Sequence, residues 1–159
     1  MLAEKIGFIG GGNMAEAMLG ALLRTGVSES SRLYAADVSP ERREFLAEKY
    51  GIETTADNCG LFAACELVVL AIKPQVMQEV LAGLMANEHC RRSPGRKLVV
   101  SIAAGIPLRK LEAFFYNRAK EAEKKNLPLI RVMPNTPALV LTGMCGMSAN
   151  DYVTEADKT

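Results

Sequence analysis

The chain has 159 residues, of which 49% are hydrophobic and 23% are charged, and its net charge is +1. This length predicts one domain that buries roughly 70% of the surface exposed by its unfolded chain. The balance of 19 basic and 18 acidic residues lacks the electrostatic signature of nucleic-acid binding, so no nucleic-acid partner is expected. No apolar run reaches the ~18 residues that span a bilayer, and the N-terminus lacks the pattern of a secretory signal. We therefore expect a cytoplasmic protein with no membrane partner.

The cysteines and the single histidine show no catalytic or metal-binding pattern. The four cysteines form no C-x-x-C pair, and we expect them to be reduced thiols; they are Cys59, Cys65, Cys90 and Cys145. His89 lies in a polar stretch without a neighbouring nucleophile motif. The sequence therefore predicts no metal site and no catalytic triad.

Short apolar strands alternate with helical patterns in the first half of the chain. The predicted elements are a strand at 5–9, a helix from Asn13 to about Thr25, a strand at 32–37, a helix between Ser39 and Gly51, a strand at 52–54 and a helix opened by Asp57. Ser39 is the expected N-cap of its helix, with Pro40 in the first helical position, and Gly51 is the expected terminator.

The alternation continues in the second half. The predicted elements are a strand within 66–74, a helix at 75–86, a loop at 87–96, a strand at 97–103, a helix at 107–118, a charged helix extension or exposed connection at 118–126, a strand at 128–133, a loop at 134–139 and an apolar segment at 143–149. The continuous apolar run before Lys73 is typical of a strand covered on both faces. The pattern predicts an α/β fold of the Rossmann type, with a doubly wound, mainly parallel sheet and helices on both faces.

A glycine-rich motif connects the first strand to the first helix. Residues 10–15 read Gly-Gly-Gly-Asn-Met-Ala, which fits the dinucleotide-binding pattern G-x-G-x-x-A in its required place between strand and helix. Gly10 permits the tight turn, Gly12 lets the backbone approach a pyrophosphate, and Ala15 lets the helix pack closely on the sheet. The start of the helix offers N–H groups to the anion.

An acidic residue follows the second strand, where dinucleotide-binding domains place a carboxylate for the ribose hydroxyls. Asp37 in this position favours NAD, because it would repel a 2′-phosphate. Arg42 and Arg43, one turn into the next helix, would offset that repulsion and allow NADP. The alternative is that Asp37 caps a turn.

Four segments together resemble pyrroline-5-carboxylate reductases, in that family's order and spacing over about residues 4–150. They are residues 6–23, 68–75, 99–106 and 130–140. The resemblance implies reduction of the cyclic imine 1-pyrroline-5-carboxylate to L-proline, the last step of proline biosynthesis. It implies NADPH as the coenzyme, while Asp37 leaves NADH open. Val38 stands where many members of the family carry a polar or basic residue that helps to hold the 2′-phosphate.

The resemblance also implies roles for individual residues. The pyrophosphate would be held by the glycine loop: Ile9, Gly10, Gly11, Gly12, Asn13 and Met14. Asn58 would contact the adenosine end, and the cofactor cleft would be lined by Ala71, Ile72, Lys73 and Pro74. Ala103 and Ala104 would pack beside the nicotinamide, with Asn135, Thr136 and Pro137 on the same side of the cleft. Lys73, Asn135 and Thr136 are the candidate catalytic residues, in positioning roles.

Structural alternatives stay open for these residues. Lys73 is also compatible with a solvated charge at a strand end, and the Asn135–Pro137 segment with a structural turn. Ala103 and Ala104 are compatible with tight packing alone.

The resemblance implies that residues 1–150 of this chain form the dinucleotide-binding domain. Residues 151–159, which begin like a helix capped by Thr154, would start the connection to a C-terminal helical domain for dimerisation and substrate binding. Without that domain, we expect this chain to be inactive, and we expect a homo-oligomer only with it. The alternatives are another Rossmann reductase, such as a 3-hydroxyacid dehydrogenase or a deazaflavin-dependent enzyme, and a non-catalytic nucleotide sensor.

Overall fold

The computed structural model describes residues 4–91, 95–117, 119–134 and 145–158. The strands are β1 (Ile6–Ile9), β2 (Leu33–Ala36), β3 (Glu53–Thr55), β4 (Leu67–Leu70), β5 (Leu98–Ser101), β6 (Leu129–Pro134) and β7 (Cys145–Ala149). The α-helices are α1 (Asn13–Arg24), α2 (Pro40–Tyr50), α3 (Asn58–Ala64), α4 (Pro74–Ala86), α5 (Glu88–Arg91), α6 (Leu108–Tyr116) and α7 (Glu121–Lys125). Two short 3₁₀ helices lie at Ser30–Arg32 and Glu155–Lys158.

The described strands form one sheet in the order β3-β2-β1-β4-β5-β6-β7. Strands β1 to β6 are parallel, and β7 pairs antiparallel with β6 at the edge. The chain crosses from one side of β1 to the other, so the strand order reverses between β1 and β4. This is the topological switch point of a doubly wound sheet, the place where such sheets bind ligands at the carboxyl ends of their strands. The predicted Rossmann-type fold is confirmed.

Helices cover the sheet on two faces, and each face has its own apolar core. On one face, α3, α4 and α6 pack on the sheet through buried side chains that include Phe62, Leu81 and Leu111. On the other, α1 and α2 pack through Leu19 and Leu46 against Ile6, Phe8 and Leu33. Within the described ranges, no helix combines the length and the apolar character that crossing a membrane requires.

The predicted caps of α2 and α3 are confirmed. The Ser39 hydroxyl accepts a hydrogen bond from the Arg42 N–H at 3.1 Å, and Pro40 is the first residue of α2. Gly51 ends that helix with φ of 64°, a conformation that glycine adopts without steric cost. The Asp57 carboxylate caps α3 by accepting from the Cys59 N–H at 2.9 Å.

Three predicted segments differ from the structure. The predicted loop at 87–96 contains α5, which begins where the Asn87 side chain accepts hydrogen bonds from two backbone N–H groups. The charged segment after α6 is not a continuation of that helix, because α7 is a separate helix that begins at Glu121. Residues 155–158 form a 3₁₀ turn, and the Asp157 carboxylate accepts hydrogen bonds from both the N–H and the hydroxyl of Thr154.

A buried asparagine fastens the last strand to the rest of the fold. Asn150, directly after β7, accepts a hydrogen bond from the Leu129 N–H at 3.2 Å. Its amide donates to the Tyr116 hydroxyl at 2.8 Å and to Glu112 at 3.3 Å, so α6, β6 and β7 are joined at one point. Burial there raises the pKa of Tyr116 to about 12.

The expectation of four reduced thiols is wrong for one pair. Cys59, on the first turn of α3, and Cys90, on α5, form a disulfide with their Cα atoms 5.6 Å apart. Cys65 and Cys145 are free. The two bonded residues are 31 positions apart in sequence, so the pairing depends on the packing of α5 against α3 rather than on a local spacing pattern.

We expect reduction of this disulfide to lower the free energy of unfolding by about 3–4 kcal/mol, because a closed loop of this length restricts the unfolded chain. Urea unfolding with and without dithiothreitol measures the difference. A double variant, Cys59→Ser with Cys90→Ser, should show no effect of dithiothreitol, whereas Cys145→Ser should respond like the wild type. Equal stability of the wild type in both conditions would contradict the pairing.

Candidate functional site

The glycine loop begins at a point where the first and fourth strands leave no room for a side chain. Gly10 has φ of 97°, and a methyl group in place of its hydrogen would lie 2.7 Å from the Ala71 carbonyl oxygen and 2.9 Å from Ile72 Cγ2. The Gly10 N–H donates to the Ala36 carbonyl at 2.8 Å. Gly10 therefore sits between the carboxyl ends of β2 and β4, directly at the switch point.

The next part of the loop is open. A methyl group added at Gly12 would meet no atom of the protein within 4 Å. Gly12 is the N-cap of α1, and no side chain caps that helix. The first N–H groups of an uncapped helix lack intrahelical acceptors and favour an anion. Gly12 and the exposed Asn13 thus border free space of the kind that a pyrophosphate would fill.

Asp37 holds the glycine loop from the side of β2. Its Oδ2 accepts a hydrogen bond from the Gly11 N–H at 2.8 Å, and its Oδ1 accepts from the Ser39 N–H at 2.9 Å. The turn-capping alternative considered from the sequence is therefore realised in the structure. Each carboxylate oxygen keeps a second lone pair, so Asp37 is also able to accept from a ribose hydroxyl.

Arg42 holds the same loop residue through its carbonyl group. Its Nε donates to the Gly11 carbonyl oxygen, and its Nη2 lies 2.5 Å from Glu16 Oε2. Both polar groups of the Gly11 backbone are thus bonded to side chains of the β2–α2 segment. The Arg42 guanidinium, which the sequence indicated as a possible partner of a 2′-phosphate, is thus engaged by Gly11 and Glu16 in this arrangement.

Arg43 lies beside the end of β2. Its Nη1 donates to the carbonyl oxygens of Asp37 at 2.8 Å and Val38 at 3.1 Å. Val38 is 87% exposed, so an apolar surface lies next to a guanidinium at the end of β2.

The predicted cleft residues after β4 lie across the switch point from the glycine loop. The Ala71 N–H donates to the Ile9 carbonyl at 2.8 Å, and this bond fixes the two segments side by side. Lys73 is exposed and forms the N-cap of α4 without a side-chain hydrogen bond, and Pro74 is the first residue of that helix. Residues 71–74 therefore lie beside the glycine loop at the carboxyl ends of β1 and β4.

The predicted nicotinamide-side residues after β5 lie at the same edge. The Ile102 N–H donates to the Leu70 carbonyl at 3.2 Å, which places this segment beside the end of β4. Ala103 is buried and Ala104 is exposed, and Gly105 turns the chain with φ of 73°. Tight packing thus accounts for Ala103, whereas Ala104 faces outward.

The other predicted site residues are farther out or are not described. Asn58 is the first residue of α3, two strands away from the glycine loop at the same edge of the sheet. The helix that Asn58 begins packs against β1 and β2. Asn135, Thr136 and Pro137 lie outside the described residues, beyond the end of β6.

Sequence reasoning missed the group that anchors Arg42. Glu16, in the first turn of α1, accepts hydrogen bonds from Lys49 at 2.8 Å and from the Tyr50 hydroxyl at 3.1 Å, besides its ion pair with Arg42. The Lys49 bond, together with Arg42 and Tyr50, lowers the pKa of Glu16 to about 2. An acidic residue directly after the glycine fingerprint was the available signal, but its partners are 26 to 34 positions away.

Comparisons with known proteins agree with this geometry. Residues 5–105 match the sequence model of the family described as NADP oxidoreductase, coenzyme F420-dependent. A pyrroline-5-carboxylate reductase from Vibrio alginolyticus is 39% identical over 155 residues, which cover 98% of this chain and 52% of that protein.

Solved structures give the same picture. A pyrroline-5-carboxylate reductase from Coxiella burnetii superposes with a TM-score of 0.84 at 32% identity, covering 99% of this chain and 53% of that one. The Plasmodium falciparum pyrroline carboxylate reductase with NADP bound gives a TM-score of 0.78 at 26% identity, covering 99% and 52%. The chain spans about half the length of the relatives that it matches.

Substituting Gly10→Ala should lower the free energy of unfolding by about 2–5 kcal/mol, since the new methyl group combines a strained φ with a clash against backbone atoms. Urea unfolding measures this loss. Gly83→Ala, at an exposed position inside α4 with nothing within 4 Å of the added methyl, is the matched control. It should raise stability by roughly 0.5–1 kcal/mol. If Gly10→Ala were as stable as the wild type, the close approach to Ala71 would be wrong.

The low pKa of Glu16 predicts a specific loss of stability in acid. Its folded-state pKa of about 2 lies below the ordinary value of 4.5, so its ionised form stabilises the fold above pH 4.5 and that contribution is lost as the pH falls toward 2. Glu16→Gln should therefore lose less stability than the wild type between about pH 5 and about pH 2.5 when urea midpoints are compared. The exposed Glu44→Gln should follow the wild type, and identical pH dependence of the Glu16→Gln variant would contradict the assignment.

Proposed function

This chain belongs to the family described as NADP oxidoreductase, coenzyme F420-dependent, and on that premise we propose that it is the coenzyme-binding part of a pyrroline-5-carboxylate reductase. The proposed reaction is the NAD(P)H-dependent reduction of the cyclic imine 1-pyrroline-5-carboxylate to L-proline, the last step of proline biosynthesis. The observation that carries this proposal is the open, uncapped start of α1 at Gly12, located at the switch point of the sheet.

The substrate class is supported by the extent of the sequence similarity. The match to the family model ends at residue 105, whereas similarity to the Vibrio alginolyticus reductase extends over 98% of the chain. The family description also keeps a second candidate, in which a deazaflavin replaces the imine as the reaction partner of the nicotinamide coenzyme. The longer match favours the imine.

The described residues would bind and orient the coenzyme. The glycine loop and the start of α1 would hold the pyrophosphate, and Asp37 would accept from the ribose hydroxyls. Residues Ala71–Pro74 and Ala103–Ala104 would line the cleft toward the nicotinamide. Bound nicotinamide supplies the hydride, so the protein positions the reactants and excludes water rather than supplying a strong acid or base. Asn58, Lys73, Asn135 and Thr136 are proposed to contribute contacts in this cleft.

Both NADPH and NADH are proposed as coenzymes. The carboxylate of Asp37 suits a free 2′-hydroxyl, while the Arg43 guanidinium beside Val38 suits a 2′-phosphate. NADP is the coenzyme in the Plasmodium falciparum relative. These two side chains have opposite effects on the same position of the coenzyme.

The whole protein would need a further part for activity. We assign residues 1–150 to the dinucleotide-binding domain and residues 151–159 to the start of a connection to a helical domain, because the relatives are nearly twice as long. That domain would complete the site for the small-molecule substrate and form the homo-oligomer. A cytoplasmic location stays a prediction from the sequence.

The test is imine reduction by the full-length protein, followed by the loss of dihydronicotinamide absorbance and by chemical detection of proline. Gly12→Ala should retain wild-type stability to within about 1 kcal/mol, since its methyl group meets no protein atom, yet raise the Kd for coenzyme about tenfold or more by filling the pyrophosphate space.

Gly83→Ala is the matched control, because it adds the same methyl group far from the cleft, and it should bind coenzyme like the wild type. Unchanged coenzyme binding by Gly12→Ala would overturn the proposed position of the pyrophosphate. Reduction of a deazaflavin without any reduction of the imine would favour the second candidate.

A further inference from the structure

Glu16 has a position that the proposed function does not explain. It lies on the first turn of α1, and its side chain is 19% exposed. Instead of facing the cleft, its carboxylate bonds three side chains of α2, namely Arg42, Lys49 and Tyr50. The Glu16 carboxylate therefore pairs with two positive charges, those of Arg42 and Lys49.

This arrangement determines where the Arg42 guanidinium lies. Its Nη2 is held by Glu16 and its Nε by the Gly11 carbonyl, and the guanidinium also stacks over the Phe45 ring at 4.9 Å. The side chain is only 23% exposed. With these partners, the Arg42 guanidinium is bonded to the Gly11 carbonyl and to α1 through Glu16.

The stem of Arg42 nevertheless starts beside the ribose position. The position of a methyl group on Gly11 would be 3.4 Å from Arg42 Cγ and 3.2 Å from Asp37 Oδ2. The aliphatic part of the Arg42 side chain and the Asp37 carboxylate, which is the proposed ribose ligand, therefore both lie next to Gly11. Since the guanidinium extends three bonds beyond Cγ, rotation about the side-chain torsions would carry it to the Asp37 side of the loop.

We propose that Glu16 is a specificity-determining residue, which holds Arg42 on the Gly11 carbonyl and so withholds its guanidinium from the 2′-phosphate of the coenzyme. This inference rests on the proposed function, because it concerns the coenzyme bound at the same loop. Glu16 acts through Arg42 and is a positioning residue rather than a catalytic one. Its presence leaves Asp37 as the charged group nearest the ribose and thereby favours NADH relative to NADPH.

The experiment measures the Kd values of NADPH and NADH for the full-length protein by calorimetric titration, together with the melting temperature of each variant. Glu16→Gln keeps the size of the side chain and removes its charge. We expect the NADPH-to-NADH affinity ratio to rise about tenfold, as a released arginine gains a charge-assisted bond to the phosphate. A loosened glycine loop alone would weaken both coenzymes equally and would leave the ratio unchanged.

Two further variants test whether the change acts through Arg42. In the double variant Glu16→Gln with Arg42→Gln, the ratio should return to the wild-type value within about twofold, because no guanidinium is released. Glu44→Gln removes an exposed charge from α2 and should leave the ratio unchanged. An unchanged ratio in Glu16→Gln, or the same rise in the double variant or in Glu44→Gln, would overturn the inference. If the wild type bound neither coenzyme, the proposed function itself would fail.

Discussion

The close approach of Gly10 to Ala71 fixes the geometry of the whole cleft. The carbonyl oxygen of Ala71 lies 2.7 Å from where a Gly10 side chain would begin, so the chain segments after the first and fourth strands lie too close for a side chain between them. Hydrogen bonds from Gly10 to Ala36 and from Ala71 to Ile9 extend the parallel pairing just beyond the strand ends. Because these segments are held together, the start of α1 is presented at the switch point in one defined orientation.

A second constraint acts on the next residue of the loop. Gly11 is bonded through its N–H to Asp37 and through its carbonyl to Arg42, so its peptide groups are fixed by one anionic and one cationic side chain. Each of those side chains has a further partner, Ser39 for the carboxylate and Glu16 for the guanidinium. Asp37, the proposed ribose ligand, is therefore also one of the groups that shape the loop, and we expect a substitution there to change coenzyme affinity and loop geometry together.

Local sequence signals predicted the strands, most helices and their caps. Ser39, Asp57 and Gly51 act within four residues of their own positions, so their effects can be read from adjacent sequence. The glycine fingerprint was predictable for the same reason, and its position before α1 is confirmed. The uses proposed for Asn135 and Thr136 remain predictions, since those residues lie outside the described ranges.

Contacts between distant residues could not be predicted in this way. Glu16 meets Arg42 26 positions later because β1 and β2 are neighbours, and Cys59 meets Cys90 because α5 packs on α3. Neither the composition nor the periodicity of the sequence indicates which distant residues will be in contact. Asp37 shows the limit most clearly: its type and position are those expected of a ribose ligand, yet its bonds to Gly11 and Ser39 became evident only once the loop and the turn were placed together.

The capping pattern of the helices connects the fold to the proposed chemistry. The helices α2 and α3, on the outer side of the switch point, begin with side-chain caps from Ser39 and Asp57. The helices α1, α4 and α6, which follow β1, β4 and β5 at the cleft, have no side-chain cap hydrogen bond. A serine or aspartate cap would stabilise each of these helices by about 1 kcal/mol. At Gly12, however, a capping side chain would occupy the N–H groups and the open space that the pyrophosphate requires. Local stability is therefore lower at the helix start where an anionic ligand is expected to supply the missing hydrogen-bond acceptors.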